Sequence, residues 1–176
     1  ARFSISRGTS KFDATEGSDV TDGQFTSYLA QVQYSKLLAK KFHITAKALA
    51  QYAADPLLSI EKYALGGIET IRGYRQNQVV RDNAYLASLE AHYRPELPIW
   101  IDLIGFLDWG RGENHKDSTS IGHSDLASVG VGVVVKHSQR FSFELYLAHG
   151  FDDFKASEYD LQDDGVHFRL GYRHAF

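Results

Sequence analysis

No cysteine occurs among the 176 residues, which excludes disulfide bonds, thiolate catalysis and cysteine-based metal sites from this stretch of chain. Proline is scarce, with 3 residues, and no run of about 18 apolar residues is present, so the sequence predicts no transmembrane helix. Methionine is also absent, and a chain that starts at Ala1 is expected to be a mature or excised one. The formal net charge of −3 provides no basic footprint for nucleic acid.

The abundant residue types favour β structure, since the chain contains 10 tyrosines, 11 phenylalanines and 15 glycines but few prolines. Residues 41–52 alternate apolar and polar side chains without a break, which predicts a strand. A helix here is the alternative favoured by the alanines, but His43 and Lys47 would interrupt its apolar face. The same alternation predicts seven further strands, at residues 1–7, 24–35, 79–93, 99–109, 126–137, 141–151 and 165–176.

The connections between these strands alternate between long and short, and many strands end in aromatic residues. Strands of about 9–11 residues, aromatic girdles, short periplasmic turns and long outer loops are typical of an antiparallel transmembrane β-barrel. A soluble sandwich or lipocalin-like barrel is the alternative, but it accounts less well for charges on one face of nearly every strand. In a membrane barrel that face lines a wet lumen, where these side chains need no buried partners: Lys47, Glu90, Asp102, Lys136, Glu144 and Arg169.

The connection over residues 53–78 is too long and too apolar for an ordinary exposed loop. An eight-stranded barrel is filled by its own side chains, so a loop that folds inward requires a wider lumen. The first strand is also short of a membrane span, with only seven residues before Gly8. We therefore expect residues 1–176 to be the C-terminal half of a sixteen-stranded barrel, with residue 1 a cut point and residues 53–78 a long inward-folding loop.

The final strand carries an apolar face that runs to the last residue. Its alternation resembles the C-terminal recognition signal of bacterial outer-membrane barrels, although His174 departs from the usual apolar residue. An ordinary edge strand is less favoured, because an unpaired apolar edge invites aggregation. The resemblance implies recognition by the barrel assembly machinery through four residues: Phe168, Leu170, Tyr172 and Phe176.

Two motifs carry a wider family resemblance. The segment 65–74, with Gly66, Gly67 and then Ile71-Arg72-Gly73-Tyr74, resembles the Val-Arg-Gly-Tyr/Phe motif of the outer-membrane insertase and secretion-transporter superfamily. Phe106-Leu107-Asp108-Trp109-Gly110 resembles that superfamily's Phe-x-Asp-x-Gly motif. Within that superfamily, the chain is most similar to two-partner secretion transporters of the hemolysin secretion/activation type. The run over residues 160–168, which leads into the last strand, also resembles these transporters.

The resemblance implies that the Arg-Gly-Tyr loop folds into the lumen and that Arg72 meets Asp108. The chemistry is reasonable, because a guanidinium offers a planar fork to a carboxylate. Gly73 and Gly110 would permit close approach of the backbones. The alternative is a solvated Arg72 with Asp108 as a simple turn residue. The candidate site thus comprises Gly66, Gly67, Arg72, Gly73 and Tyr74 on the loop, with Phe106, Asp108 and Gly110 on the strand.

The function implied is a bacterial outer-membrane pore that secretes an unfolded exoprotein, with no chemical step, cofactor or metal. Its expected partners are the exoprotein, the lipid bilayer and the assembly machinery. An insertase for other barrels is a close variant. A passive eight-stranded barrel is a further alternative. Another is an outer-membrane hydrolase, or a metal site, in the loop over 110–125. No ordered nucleophile–base pattern occurs among the candidate residues of this loop, which are His115, Asp117, Ser118, His123 and Ser124.

Overall fold

A computed structural model describes residues 1–9, 24–115, 123–137, 140–152 and 161–174. Eight strands form one antiparallel sheet in the order β1-β2-β3-β6-β7-β8-β9-β10, and β4 and β5 form a separate pair. No helix in these ranges combines the length and hydropathy that a membrane crossing needs. The strands are β1 (Arg2–Gly8), β2 (Phe25–Ala39), β3 (Phe42–Ala53), β4 (Tyr63–Leu65), β5 (Val79–Arg81), β6 (Asn83–Tyr93), β7 (Trp100–Glu113), β8 (His123–His137), β9 (Phe141–Gly150) and β10 (Val166–Tyr172), and a 3-10 turn covers Leu161–Asp164.

The all-β prediction is confirmed, and so is the large antiparallel sheet of eight strands. The helical alternative for residues 41–52 is excluded, because β3 occupies them and pairs with β2 and β6. The sheet is open in the described part of the chain, where β1 and β10 are its two outermost strands. A closed barrel of these eight strands alone is therefore not the observed arrangement, and the count of sixteen stays a prediction.

The two faces of the sheet differ as the alternation predicts. Along β6, every second residue from Tyr85 to Ala91 is exposed and those between, such as Glu90, are buried. Val131 is 60% exposed, and most of the exposed outer-face side chains in the middle of the strands are apolar. A contiguous apolar face of this size is unusual on a water-soluble monomer, whereas a membrane barrel presents one to lipid. Exposed members of this outer face are Val32, Leu89, Leu103, Leu107, Val129, Val131, Leu147, Phe168 and Leu170.

One predicted strand is wrong, because residues 79–93 do not form a single element. Val79–Arg81 pairs with β4 inside the long connection, and β6 begins only at Asn83. Asp82 causes the break, since its fully buried carboxylate accepts hydrogen bonds from the backbone of Leu57 (3.0 Å) and of His115 (2.7 Å). The connection between β3 and β6 thus contains a small hairpin and extends as far as Asp82.

Candidate functional site

The long connection folds back against the inner face of the sheet, and a compact turn presents Arg72 to that face. Gly66 and Gly67 have φ angles of 105° and 100°, which other residues rarely adopt. The backbone nitrogen of Gly67 donates to the Ile71 carbonyl (3.1 Å), and that of Gly66 donates to Thr70 Oγ1 (2.9 Å). These bonds close the turn immediately before Arg72.

Arg72 binds Asp108 on β7 through three hydrogen bonds. Its Nε donates to Asp108 Oδ2 (2.8 Å), its Nη2 donates to Oδ1 (2.8 Å) and its backbone nitrogen donates to Oδ2 (3.2 Å). Ser88 on β6 donates a further hydrogen bond to Oδ1 (2.6 Å). The planar fork of the guanidinium and the two carboxylate oxygens therefore meet in the bidentate arrangement that gives arginine its specificity.

Glu90 is a second carboxylate partner that the motifs do not include. Arg72 Nη1 lies 2.9 Å from Glu90 Oε1, and Lys47 Nζ on β3 lies 3.1 Å from Glu90 Oε2. The alternation of β6 places Glu90 on the inner face with Ser88, but only the pairing of Glu90 with Phe106 across β6 and β7 brings it beside Asp108. The expectation that inner-face charges need no partners is therefore wrong for Lys47 and Glu90.

Aromatic rings cover the guanidinium. The Cζ atom of Arg72 lies 3.6 Å from the centre of the Phe106 ring and 5.3 Å from that of Tyr146 on β9. The two rings meet edge to face at 6.1 Å. Their strand partners on β8 are glycines, Gly130 opposite Phe106 and Gly132 opposite Tyr146, whose lack of a side chain leaves room for the rings. A cation over ring faces gains about 0.5–2 kcal/mol, more when water is excluded.

The site is almost completely removed from solvent, with Arg72 4% and Asp108 3% exposed. Burial lowers the pKa of Arg72, but the carboxylates of Asp108 and Glu90 outweigh it, so the net pKa is raised and the guanidinium stays charged. Removing one member of such a buried group leaves an uncompensated charge and costs about 3–5 kcal/mol.

Hydrophobic contacts bring the loop close to the sheet. Ile71 and Leu65 are fully buried and belong to a core cluster with Val79 and Leu86. The Ile71 side chain occupies the space that a Cβ at Gly110 would need. Gly110 therefore permits the approach that brings Arg72 within reach of Asp108.

The two residues after Arg72 contact β8, β9 and β10. Gly73 has a φ angle of 93°, and its nitrogen donates to His167 Nε2 on β10 (3.0 Å). The Tyr74 hydroxyl donates to the Ala127 carbonyl (2.7 Å) and accepts from the backbone nitrogens of Ala127 (3.2 Å) and Asp152 (3.1 Å). The loop thus spans the inner face from β6 to β10.

Replacing Tyr74 by phenylalanine keeps the ring and removes the hydroxyl, which leaves the partly buried backbone nitrogens of Ala127 and Asp152 without this acceptor. We expect the free energy of unfolding of the full-length protein to fall by about 1–3 kcal/mol. Urea denaturation in lipid bilayers measures it, with Tyr52→Phe on the exposed outer face as the matched control within about 0.5 kcal/mol of the parent. Equal effects of the two substitutions would contradict the assigned role of the Tyr74 hydroxyl.

The tip of the loop also binds the acidic segment that precedes β10. Arg75 donates from Nε and Nη2 to the two carboxylate oxygens of Asp163, both at 2.6 Å. The Gln76 backbone nitrogen donates to Gln162 Oε1 (2.8 Å), and Arg169 on β10 pairs with Glu69. These contacts are exposed, so each is worth about 0–1 kcal/mol, far less than the Arg72 group.

The remaining predicted residues lie apart from this site. Phe168, Leu170 and Tyr172 are on the exposed outer face of β10, and Phe176 lies outside the described residues. Of the loop proposed for hydrolysis, Asp117, Ser118 and the side chain of His123 also lie outside them. Ser124 accepts a hydrogen bond from Arg81 (3.3 Å) and the His115 backbone binds Asp82, and neither contact joins a nucleophile to a base.

Long antiparallel strands with an apolar outer face, and a loop arginine held on a polar inner face, define part of a transmembrane-type β-barrel. The family model for the haemolysin secretion/activation protein ShlB/FhaC/HecB matches residues 1–135, which include both Arg72 and Asp108. The chain therefore belongs to the haemolysin secretion/activation family.

Similar proteins include heme/hemopexin transporter proteins HuxB of Haemophilus influenzae. The HuxB of strain 86-028NP is 27% identical over 136 residues, and a second Haemophilus influenzae HuxB is 26% identical over 136 residues. Each alignment covers 73% of this chain and 24% of the relative, so the chain spans about a quarter of the length of these relatives. No solved structure matches the chain.

Proposed function

We propose that this chain forms part of a bacterial outer-membrane pore that secretes an exoprotein in an unfolded state, with no chemical step. The observation that carries the proposal is the buried Arg72, which holds the long loop on the inner face through Asp108 and Glu90. The family match supports secretion, and the relatives are named as transporters.

In this proposal the loop over residues 53–78 is a fixed part of the inner wall. The Arg72 group attaches it to β6 and β7, and Arg75 attaches its tip beside β10 through Asp163. A cavity of about 110 Å3 lies next to Arg72 and is lined mainly by polar side chains, including Thr70, Glu144 and Arg169. A wet, charged inner face allows an extended polypeptide to pass without offering an apolar surface on which it would stop.

The test uses the full-length protein and its exoprotein partner in cells, with separate measurements of assembled barrel, secreted exoprotein and other outer-membrane barrels. A secretion pore predicts that deleting the protein abolishes export of the partner while the other barrels remain at normal levels. Loss of the other barrels would instead indicate an insertase. Normal export in the deletion strain would contradict the proposal.

The outer face of the sheet is proposed to contact lipid, which a charged substitution tests. Val131→Arg on β8 places a guanidinium on this face and is expected to destabilise the inserted barrel by about 2–4 kcal/mol, the cost near the bilayer midplane. Ser6→Arg on the inner face of β1, opposite Ser27, is the matched control and is expected to leave the assembled amount unchanged. The assay is the amount of heat-modifiable barrel in the outer membrane, and equal amounts for both variants would argue against a lipid-facing β8.

The assembly machinery is the third proposed partner, reached through the outer face of the last strand. Phe168, Leu170 and Tyr172 present a continuous apolar row there, which suits recognition of an incoming strand. Phe176 completes the proposed signal in the sequence.

A further inference from the structure

A second cluster of titratable side chains lies on the inner face, near the end of the sheet where the connections are short. It combines His43 on β3, His92 on β6 and Asp102 on β7. His43 and His92 are direct strand partners, and Asp102 lies on the neighbouring strand close to the partner of His92. These residues are far apart in sequence, so no spacing pattern indicates the cluster.

The donor atoms of the three side chains converge. One donor atom from each lies within 4.8 Å of the others, and His92 Nδ1 lies 3.1 Å from Asp102 Oδ2. The imidazole rings stack with their centres 4.1 Å apart. Donors of a tetrahedral zinc site with bonds of about 2.0–2.1 Å are about 3.3 Å apart, so metal binding requires the donors to move closer together and one imidazole to rotate out of the 16° stack.

Two polar atoms of the cluster are buried without a hydrogen bond, Asp102 Oδ1 and His92 Nε2. Asp102 is 3% exposed and His92 9% exposed, so solvent does not readily satisfy either atom. The His92 Nε2 atom faces Glu90 Oε2 at 3.4 Å. A histidine that binds a metal through one ring nitrogen commonly directs the other at a carboxylate, and His92 is placed to do so.

A cation already contacts the cluster. Arg94 donates to Asp102 Oδ2 from Nε (3.0 Å), and its Nη2 lies 2.9 Å from the same oxygen and 3.3 Å from His43 Nε2. Its side chain is 45% exposed, which gives it a path towards solvent, and it also lies 5.1 Å from the Trp100 ring. A metal ion at the same donors would repel this guanidinium.

We propose that His43, His92 and Asp102 form a binding site for a divalent transition-metal ion, in competition with the guanidinium of Arg94. Two imidazoles and one carboxylate are ligands that suit Zn2+. Mg2+ and Ca2+ are disfavoured, because they prefer oxygen ligands alone. Glu90 joins this site to the docked loop, because its other oxygen binds Arg72.

The experiment titrates the tag-free full-length transporter with Zn2+ by calorimetry and with Co2+ by visible absorption. We expect a single saturable site. The Co2+ absorption spectrum should be intense, as it is for a Co2+ ion of low coordination number. His43→Ala and Asp102→Asn should weaken Zn2+ binding at least about tenfold. Removing a residue that only hydrogen-bonds to a metal ligand already weakens binding by about this factor, so removing a ligand should cost no less. Arg94→Gln should strengthen it, because the competing cation is gone.

Matched controls remove the same residue types elsewhere. His149→Ala on the outer face of β9 and Arg111→Gln at the far end of β7 should leave Zn2+ affinity unchanged. Unaltered affinity in His43→Ala, or weaker binding in Arg94→Gln, would overturn the proposal and identify the cluster as an ion pair with Arg94 as its permanent cation. His43 is only partly buried, so His43→Ala and Arg94→Gln decide the question even if Asp102→Asn fails to fold.

Discussion

Replacing Arg72 by alanine is expected to reduce secretion of the exoprotein strongly, while the barrel still assembles in the outer membrane. The substitution leaves Asp108 fully buried without its guanidinium, and Glu90 keeps only Lys47 and the nearby His92. The cost is about 3–5 kcal/mol, which shifts the docked loop towards an undocked state by a factor of at least about a hundred. Secreted exoprotein per assembled barrel is the quantity to measure.

Arg75→Ala is the matched control, because it removes an arginine from the same loop three residues further on. Its bidentate partner Asp163 is exposed, so the expected cost is about 0–1 kcal/mol and secretion should stay close to the parent level. Equal secretion in the two variants would remove the functional role assigned to Arg72.

The second large effect is expected in the double variant Arg72→Ala with Asp108→Asn, which should recover stability but not secretion. The neutral amide removes the uncompensated carboxylate, so we expect about 1–3 kcal/mol of the unfolding free energy lost in Arg72→Ala to return. Secretion should not return, because the charged attachment of Arg72 to β7 is still missing. Urea denaturation of the purified protein and the secretion assay provide the two measurements.

A double variant as unstable as the sum of its single variants would contradict direct pairing of Arg72 and Asp108. Exchanging the two residues is a weaker test, because an aspartate at position 72 would face Glu90. Glu90→Gln combined with Arg72→Ala offers a parallel cycle for the second carboxylate, with Lys47 and His92 as its remaining partners.

The sequence alone predicts the faces of the strands well, because alternation is a local property. Leu103, Leu107 and Trp109 are exposed on β7, and Asp102, Phe106 and Asp108 are buried on its other face, as predicted. The proximity of Arg72 to Asp108 rests on family resemblance, since no local pattern joins a loop to a strand.

The rest of the site depends on strand register, which the sequence does not reveal. Glu90 and Tyr146 reach Arg72 only through the pairing of β6 with β7 and of β8 with β9. The strand break at Asp82 cannot be predicted from the sequence for a related reason. Val79 to Arg81 continue the alternation of β6, and only the tertiary contacts of the buried carboxylate end that strand.

The central claim is that the loop over residues 53–78 is attached to the inner wall by Arg72. Cryo-electron microscopy of the full-length protein in lipid nanodiscs tests it most directly. The account predicts density for Arg72 within hydrogen-bonding distance of both Asp108 and Glu90, at the 2.8 and 2.9 Å separations described above. A loop outside the lumen, or an Arg72 side chain directed into solvent, would contradict it.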